Sequence, residues 1–239
     1  MTVLHLADEG EAADLAAFLS RLLHYDRGAA VRLQAAGTAL AVFGRPPSFE
    51  VLAIRAVRLA KPYEDGLTVT LDVTVSAGEL LEAVDESAAT AAVPAAVTGP
   101  PWAGVLPPRG GWRPERGLPA PDALRATVGA AVGEFRRRTE ELAPQSRTRA
   151  ALDRTGREIW SRTVGDTALP VRAVHAAQSL GFLRAATDPE NPENPGNTES
   201  ADDLALLSSG AWLRLRTPYG SIAVRRAGAG LGIPPLSVR

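Results

Sequence analysis

The sequence predicts an α+β fold: an N-terminal antiparallel sheet with flanking helices, a proline-rich strap, and a helical C-terminal part ending in a β-hairpin. Apolar residues recur at helical spacing through residues 15–25, while residues 67–75 alternate between apolar and polar side chains. Residues 212–225 form two further alternating runs around a Pro-Tyr-Gly turn. Eight of the nineteen prolines fall within residues 93–121, between the two halves.

Residues 1–92 are predicted to form an α+β domain. Asp8 and Glu11 have the spacing of a capping box, which places the start of the first helix. Ser76 and Glu79 repeat that spacing and predict a second helix. Four strand candidates lie between the helices, with a turn expected at Ala36 and Gly37. They span 29–35, 38–44, 49–59 and 67–75.

Residues 93–121 are predicted to be an extended strap that packs on the rest of the protein. The segment contains Trp102 and Trp112, whereas disordered linkers are poor in aromatic residues. A second interpretation stays open, in which residues 106–114 are a proline-rich ligand for another protein.

Residues 122–239 are predicted to form a helical domain with a C-terminal hairpin. Helical spacing and capping signals indicate three helices, spanning approximately 121–142, 146–164 and 169–183. Residues 187–203 follow, with six acidic residues and three prolines, and are predicted to be a mobile loop.

The hairpin presents apolar and basic residues on opposite faces. Leu213 and Leu215 share one face, where Ile222 and Val224 should meet them. Trp212, Arg214, Arg216 and Arg225 share the other. A four-residue loop is expected, because Pro218 cannot adopt the positive φ that two-residue hairpin loops favour.

The helix before the hairpin has a polar face that includes Arg172, His175 and Gln178. Two helices followed by a hairpin is the order of a winged helix. This order gives six candidate nucleic-acid-binding residues: Arg172, His175, Gln178, Arg214, Arg216 and Arg225. The alternative, which we favour, is a purely structural hairpin, because the chain has 25 arginines to one lysine and is rich in arginine throughout.

Charge is distributed unevenly along the chain, although its formal net charge is only −1. Residues 1–92 carry a net charge of −6. Residues 122–186 and 204–239 together carry +9, separated by the acidic loop. A basic C-terminal half fits nucleic-acid binding, and the oppositely charged halves also fit pairing with each other within one chain or between chains.

The sequence contains no recognisable motif for catalysis or for cofactor binding. The chain has no cysteine, and its three histidines fall on separate predicted elements. Glycines at 228–232 suggest a dinucleotide fingerprint, but two prolines and the end of the chain follow, so the required helix cannot form. We therefore assign no catalytic, metal-binding or cofactor-binding residue, and we expect no cofactor.

The N-terminus is acidic and lacks the pattern of a signal peptide. The longest uncharged run, residues 87–108, contains five prolines and cannot form a membrane helix. We expect a cytoplasmic protein without a membrane partner.

Four segments carry a family resemblance: LPPRGGW, GEFRRR, LPVRAVHAAQSLGFL and WLRLRTPYGSIAVRR. They resemble parts of an uncharacterised protein family of high-GC Gram-positive bacteria, over most of residues 100–226. The resemblance implies no activity.

Three hypotheses for function follow. The favoured one is a non-catalytic cytoplasmic interaction or scaffold protein that binds a protein partner or self-associates. The alternative is a regulator that binds nucleic acid through the helix and hairpin. The third, an enzyme of unrecognised type, requires a site assembled from residues far apart in the chain.

Overall fold

The computed structural model describes residues 2–63, 71–184 and 204–226. It confirms the α+β fold class and the C-terminal hairpin. Within these residues the strands form two antiparallel sheets, one of three strands and one of seven. The predicted mobile loop at 187–203 and the glycines at 228–232 lie outside the described residues.

The first helix, α1 (Glu9–Tyr25), follows a short strand, β1 (Val3–His5). Asp8 caps it as the spacing predicted, its carboxylate accepting a hydrogen bond of 2.8 Å from the Glu11 amide. One face of α1 is fully buried and includes Leu15, Phe18 and Leu22. This amphipathic helix covers one face of the seven-stranded sheet, here called the inner face.

The N-terminal part supplies three neighbouring strands of the seven-stranded sheet: β2 (Ala30–Gly44), β3 (Leu52–Tyr63) and β4 (Leu71–Ser76). The turn predicted at Ala36 and Gly37 is wrong, because β2 runs through both residues as one long strand. Gly37, with φ +58°, instead lies where the register shifts, and the chain bends without reversing. The first half of β2 pairs with β4 and the second half with β3.

A second small sheet closes the N-terminal part. The helix α2 (Ala77–Glu82) is capped by Ser76, as predicted. The strands β5 (Val84–Asp85) and β6 (Thr90–Ala92) follow it, and β6 pairs with both β5 and β1.

Residues of the predicted strap cross the other face of the large sheet, here called the outer face. The Val97 amide donates 2.9 Å to the Thr74 carbonyl on the edge strand β4. Trp102 and Leu106 then pack on Phe43 and Ile54. The strap ends in β7 (Arg113–Glu115), which forms the opposite edge of the same sheet.

Three helices follow the strap: α3 (Pro121–Glu141), α4 (Arg149–Trp160) and α5 (Val171–Ser179). Pro121 starts α3 in the first turn, where a proline costs no hydrogen bond. Pro170 is the N-cap of α5, which packs on the inner face beside α1. The Phe18 ring of α1 stacks on Phe182, just beyond α5, at 5.6 Å.

The chain returns to the large sheet through β8 (Ala205–Ser209), β9 (Trp212–Thr217) and β10 (Gly220–Arg225). The strand order is β4-β2-β3-β10-β9-β8-β7, so β10 pairs with β3 of the N-terminal part. The hairpin is therefore internal to the sheet, whereas a wing would project from it. Leu213 faces Val224 and Leu215 faces Ile222, as predicted.

The hairpin loop is shorter than predicted. Thr217 pairs directly with Gly220, so only Pro218 and Tyr219 lie between the strands. The Thr217 hydroxyl accepts from the Tyr219 amide at 3.3 Å and donates to the Gly220 carbonyl at 3.1 Å, which stabilises the tight turn. Glycine is needed at 220, because a Cβ there would lie 2.7 Å from the Phe182 ring.

The seven-stranded sheet crosses the boundaries predicted at 92 and 121. Strands from all three predicted segments take part in it, and its inner face is covered by helices from both ends of the chain. Whether the predicted domains fold independently stays a prediction. The described residues form one large sheet that spans all three predicted segments, a small sheet beside it, and one main core.

Candidate functional site: an arginine and tryptophan cleft

The six candidate nucleic-acid-binding residues do not lie on one surface. Arg214 and Arg216 are on the outer face of the sheet, whereas α5 packs on the inner face. Gln178 is exposed on α5 and lines none of the cavities described below. Arg225 shares the outer face of the hairpin with Arg214 and Arg216, as predicted, and it lines a cavity together with Arg172 at the end of the sheet.

His175 is enclosed by other aromatic rings. Its imidazole stacks on Trp160 at 4.8 Å and meets the edge of Phe49 at 5.0 Å. Burial lowers the pKa of His175, because the charged form loses hydration there. This side chain joins α4, α5 and the loop before β3 as a packing element.

Arg172 and Arg225 belong to a cleft of about 470 Å³, here called the arginine–tryptophan cleft and defined by Arg45, Trp102, Arg172, Trp212 and Arg225. The cleft lies where four parts of the chain meet: the loop after β2, the strap, the start of α5, and the open end of the hairpin, opposite its turn. No single segment of the sequence contains more than two of its residues, so only the folded sheet assembles it.

The two tryptophans form the apolar part of the cleft. Both pack on a small cluster on the outer face that includes Leu52 and Ala223. Trp212 and Arg225 are cross-strand partners, and the Arg225 guanidinium lies 5.1 Å above the Trp212 ring. This cation–π contact holds the arginine over the cleft while leaving its N–H groups available.

Charge in the cleft is unbalanced. Three arginines face a single carboxylate, Glu50, whose Oε2 is 4.0 Å from Arg172 Nε. That distance is too long for a hydrogen bond, and Arg172 Nε is buried without an acceptor among the described residues. Glu50 has φ +53°, which is unusual for a residue with a side chain. The cleft therefore has unused hydrogen-bond donors and excess positive charge.

The sequence predicted Arg172 and Arg225 as candidate nucleic-acid-binding residues and placed Trp212 on the same hairpin face as Arg225, but it did not predict a role for Arg45, Glu50 or Trp102 at this site. Arg45 and Glu50 lie in the short connection between β2 and β3, where no pattern marked them. Trp102 was noted only as evidence that the strap packs. The packing of the strap near the hairpin would have identified Trp102 as part of the site, but these segments are far apart in the sequence, so no local pattern reveals it.

A second charged cluster lies between α1 and β3, where carboxylates pair with the terminal nitrogens of its arginines, although Arg55 Nε is buried without a hydrogen-bond acceptor among the described residues. Arg55 Nη2 contacts Glu11 at 2.9 Å and Asp14 at 3.2 Å, and its Nη1 donates 2.8 Å to the Tyr219 carbonyl. Arg184 contacts Asp14 at 2.7 Å. These ion pairs connect the N-terminal helix to the hairpin turn and to the end of α5.

A third cluster joins α3 to α4. Glu134 and Glu158 bind Arg138 and Arg162 in a four-residue network on the surface. Hydrogen bonds from Arg138 lower the pKa of Glu158 to about 2. The four side chains of this network pair with one another.

Residues 2–63, 71–184 and 204–226 contain no group of three or more histidine, aspartate or glutamate side chains arranged to hold a metal ion. None of their helices combines the length and the apolar character needed to cross a membrane.

Comparison with protein families gives two matches. Residues 1–104 match a domain of unknown function (DUF8010), and residues 107–229 match another domain of unknown function (DUF8185). The break between them falls inside the predicted strap. No curated protein and no solved structure matches the chain.

The protein has an α+β fold with a cleft lined by arginine and tryptophan side chains. The second family match covers more than half of the chain, and the protein belongs to the DUF8185 family. The expected membership of an uncharacterised family is confirmed to that extent.

Proposed function

We propose that the protein is a non-catalytic binding protein, and that its arginine–tryptophan cleft receives an acidic segment of a protein partner. One observation carries the proposal: three arginines and two tryptophans line the cleft with only one carboxylate among them. The buried and unpaired Nε of Arg172 marks where an acceptor is missing.

The chemistry of the cleft suits carboxylates next to apolar side chains. Arginine donates two parallel hydrogen bonds to one carboxylate, which gives strength and orientation. Trp102 and Trp212 offer apolar surface beside those donors. Arginine and tryptophan are also the residue types that contribute most to binding at protein interfaces.

A nucleic-acid partner is the second candidate. Exposed Arg216 and Arg225, together with the tryptophans, resemble the combination that binds single-stranded nucleic acid. Three observations favour the acidic protein segment. Arg225 already occupies one face of Trp212, His175 is enclosed, and the net charge of −1 gives little long-range attraction for a polyanion.

The test compares two probes by fluorescence anisotropy: a labelled peptide of alternating glutamate and leucine, and a labelled oligothymidylate. We expect the peptide to bind more tightly, and Arg172→Gln with Arg225→Gln to weaken it at least about tenfold, since each lost charged hydrogen bond removes roughly 1.5–3 kcal/mol. Glu50→Gln should strengthen it by removing the only carboxylate of the cleft.

The matched control is Arg136→Gln with Arg154→Gln, which removes the same charge from exposed positions on α3 and α4. It should leave peptide affinity within about twofold, because exposed charges are screened. If both double variants lost the same peptide affinity, the effect would come from net charge alone, and binding in the cleft would be contradicted. Tighter binding of the oligonucleotide would select the second candidate.

The proposal includes a cytoplasmic location and a family confined to high-GC Gram-positive bacteria. The ratio of 25 arginines to one lysine supports the second point, because arginine codons are rich in G and C. Cell fractionation of a native host would test the first.

A further inference from the structure

A separate cavity of about 310 Å³ lies between the outer face of the sheet and the strap. Leu106, Pro107 and Pro108 of the strap form its roof. Its floor is made of small side chains on β2 and β3, chiefly Ala39, Ala41 and Ala56. These alanines leave a hollow that larger residues would fill. Its walls include the apolar side chains of Phe43, Ile54 and Leu71, together with the polar Gln34.

Arg214 brings a positive charge into this apolar space. It is half-buried, and no described residue forms a hydrogen bond or an ion pair with its guanidinium. Its Nε is fully buried without an acceptor. Burial and the neighbouring charge of Arg216 lower the pKa of Arg214. Burying a cation without an acceptor is unfavourable, so this arrangement needs a compensating partner.

Trp112 connects Arg214 to the roof. Its ring lies 5.8 Å from the Arg214 guanidinium, and its indole N–H donates 3.0 Å to the Pro108 carbonyl. The strap and the arginine are thus held in fixed relation at the cavity. A second arginine of the strap, Arg109, also lines the cavity and is exposed.

From this arrangement we infer that the cavity binds a small carboxylate with an unbranched apolar chain, of the size of a medium-chain fatty acid. The carboxylate accepts hydrogen bonds from Arg214, and the chain lies on the alanine floor beneath the prolines. The cavity is at the small end of the range for ligand pockets, about 300–1,000 Å³, which favours a medium chain over a long one.

This site is distinct from the arginine–tryptophan cleft, since the two share no lining residue. The inference therefore does not depend on the acidic-segment proposal. A free fatty acid and an intact lipid both contain an apolar acyl chain, but only the free acid offers a carboxylate to Arg214.

The experiment is isothermal titration calorimetry of the full chain with sodium decanoate below its micelle concentration, with decanol and phosphatidylcholine vesicles as comparison ligands. We expect decanoate to bind, decanol to bind at least about tenfold more weakly, and vesicles not to bind. From hexanoate to decanoate, affinity should rise about fourfold per CH₂ until the cavity is full. Quenching of Trp112 fluorescence should accompany binding and disappear in Trp112→Phe.

Two variants and one control decide the result. Arg214→Gln should weaken decanoate about tenfold or more and leave decanol unchanged. Ala56→Leu should abolish binding of both, because it fills the floor. Arg216→Gln, exposed on the same strand and not part of the lining, should bind decanoate within about twofold of the wild type.

Circular dichroism and thermal melting establish that each variant is folded. If Ala56→Leu does not fold, Ala41→Val replaces it at the same floor. Absence of decanoate binding, equal affinity for decanoate and decanol, or an unchanged affinity in Arg214→Gln would overturn the inference. Arg172→Gln with Arg225→Gln should not affect decanoate, which separates failure of this site from failure of the cleft.

Discussion

Arginines on the two faces of the seven-stranded sheet differ in whether carboxylates pair with them. On the inner face Arg55 is buried, with its side chain 7% exposed, and two carboxylates and a carbonyl satisfy its terminal nitrogens. On the outer face Arg214 is half-buried and has no carboxylate partner among the described residues. Nε is buried without an acceptor in both side chains, so the two arginines differ in the carboxylates and the carbonyl that meet the terminal nitrogens of Arg55.

The faces also differ in packing. The inner face is covered by α1, α3 and α5 and forms the main core, whereas the outer face carries only a strap and a small cluster. Cavities of 310 Å³ and 470 Å³ adjoin the strap on the outer side. A face covered by proline-rich extended chain cannot be filled as completely as one covered by amphipathic helices.

The largest expected effect tests this difference in packing. Leu215→Ala should lower the free energy of unfolding by about 4 kcal/mol, because a fully buried leucine leaves a cavity in a dense core. Leu106→Ala, half-buried under the strap, should cost only about 1 kcal/mol. Urea denaturation measures both. Similar losses would mean that the outer cluster is as well packed as the core.

Arg55 gives the next effect. Arg55→Met should cost about 3 kcal/mol, because it leaves the largely buried Glu11 carboxylate with only the exposed Arg58. The Tyr219 carbonyl also loses its donor. The same urea titration applies. A free energy of unfolding equal to that of the wild type would show that this ion-pair cluster contributes no net stability.

Arg214→Met is the counterpart on the outer face. Its unfolding free energy should stay within about 0.5 kcal/mol of the wild type or exceed it, since the substitution removes a poorly compensated charge and, among the described residues, no hydrogen bond or ion pair, only the 5.8 Å contact with the Trp112 ring. A loss as large as that of Arg55→Met would contradict the contrast between the two faces.

The smallest effect concerns pH. Burial between Trp160 and Phe49 lowers the pKa of His175, so the folded protein prefers the neutral imidazole. This contribution is complete above the unfolded pKa of about 6.5 and is lost as pH falls below it, because the unfolded chain then takes up the proton first. Melting temperatures at about pH 7.5 and about pH 5.5 should therefore differ less in His175→Phe than in the wild type. An identical difference in both proteins would assign the pH dependence to other groups.

Local sequence patterns were sufficient for most elements. The capping boxes at Asp8 and Ser76, the helices that begin near Pro121 and Pro170, and the pairing of Leu213 with Val224 follow from nearest-neighbour chemistry. Two local predictions failed at glycines. Gly37 allowed a bulge where a turn was expected, and Gly220 allowed a two-residue loop where four residues were expected.

The candidate site was only partly visible in the sequence. Arg172, Trp212 and Arg225 stood out because each lies on a periodic element whose polar face can be identified. Arg45, Glu50 and Trp102 lie in connections without periodicity, so nothing local assigned them a direction. Grouping Arg172 with His175 and Gln178 by helical spacing also did not reveal that Trp160 and Phe49 enclose the imidazole.

The sequence by itself determined the fold class, the five helices, the hairpin strands and their apolar faces, because these depend on residues a few positions apart. It did not predict the short strands β1 and β5–β8. Only the tertiary structure decided that β10 pairs with β3 and makes the hairpin the middle of a sheet. It also decided which arginines meet a carboxylate and which meet a cavity. Both outcomes depend on long-range pairing, whose free energy comes from burying surfaces that no local pattern specifies.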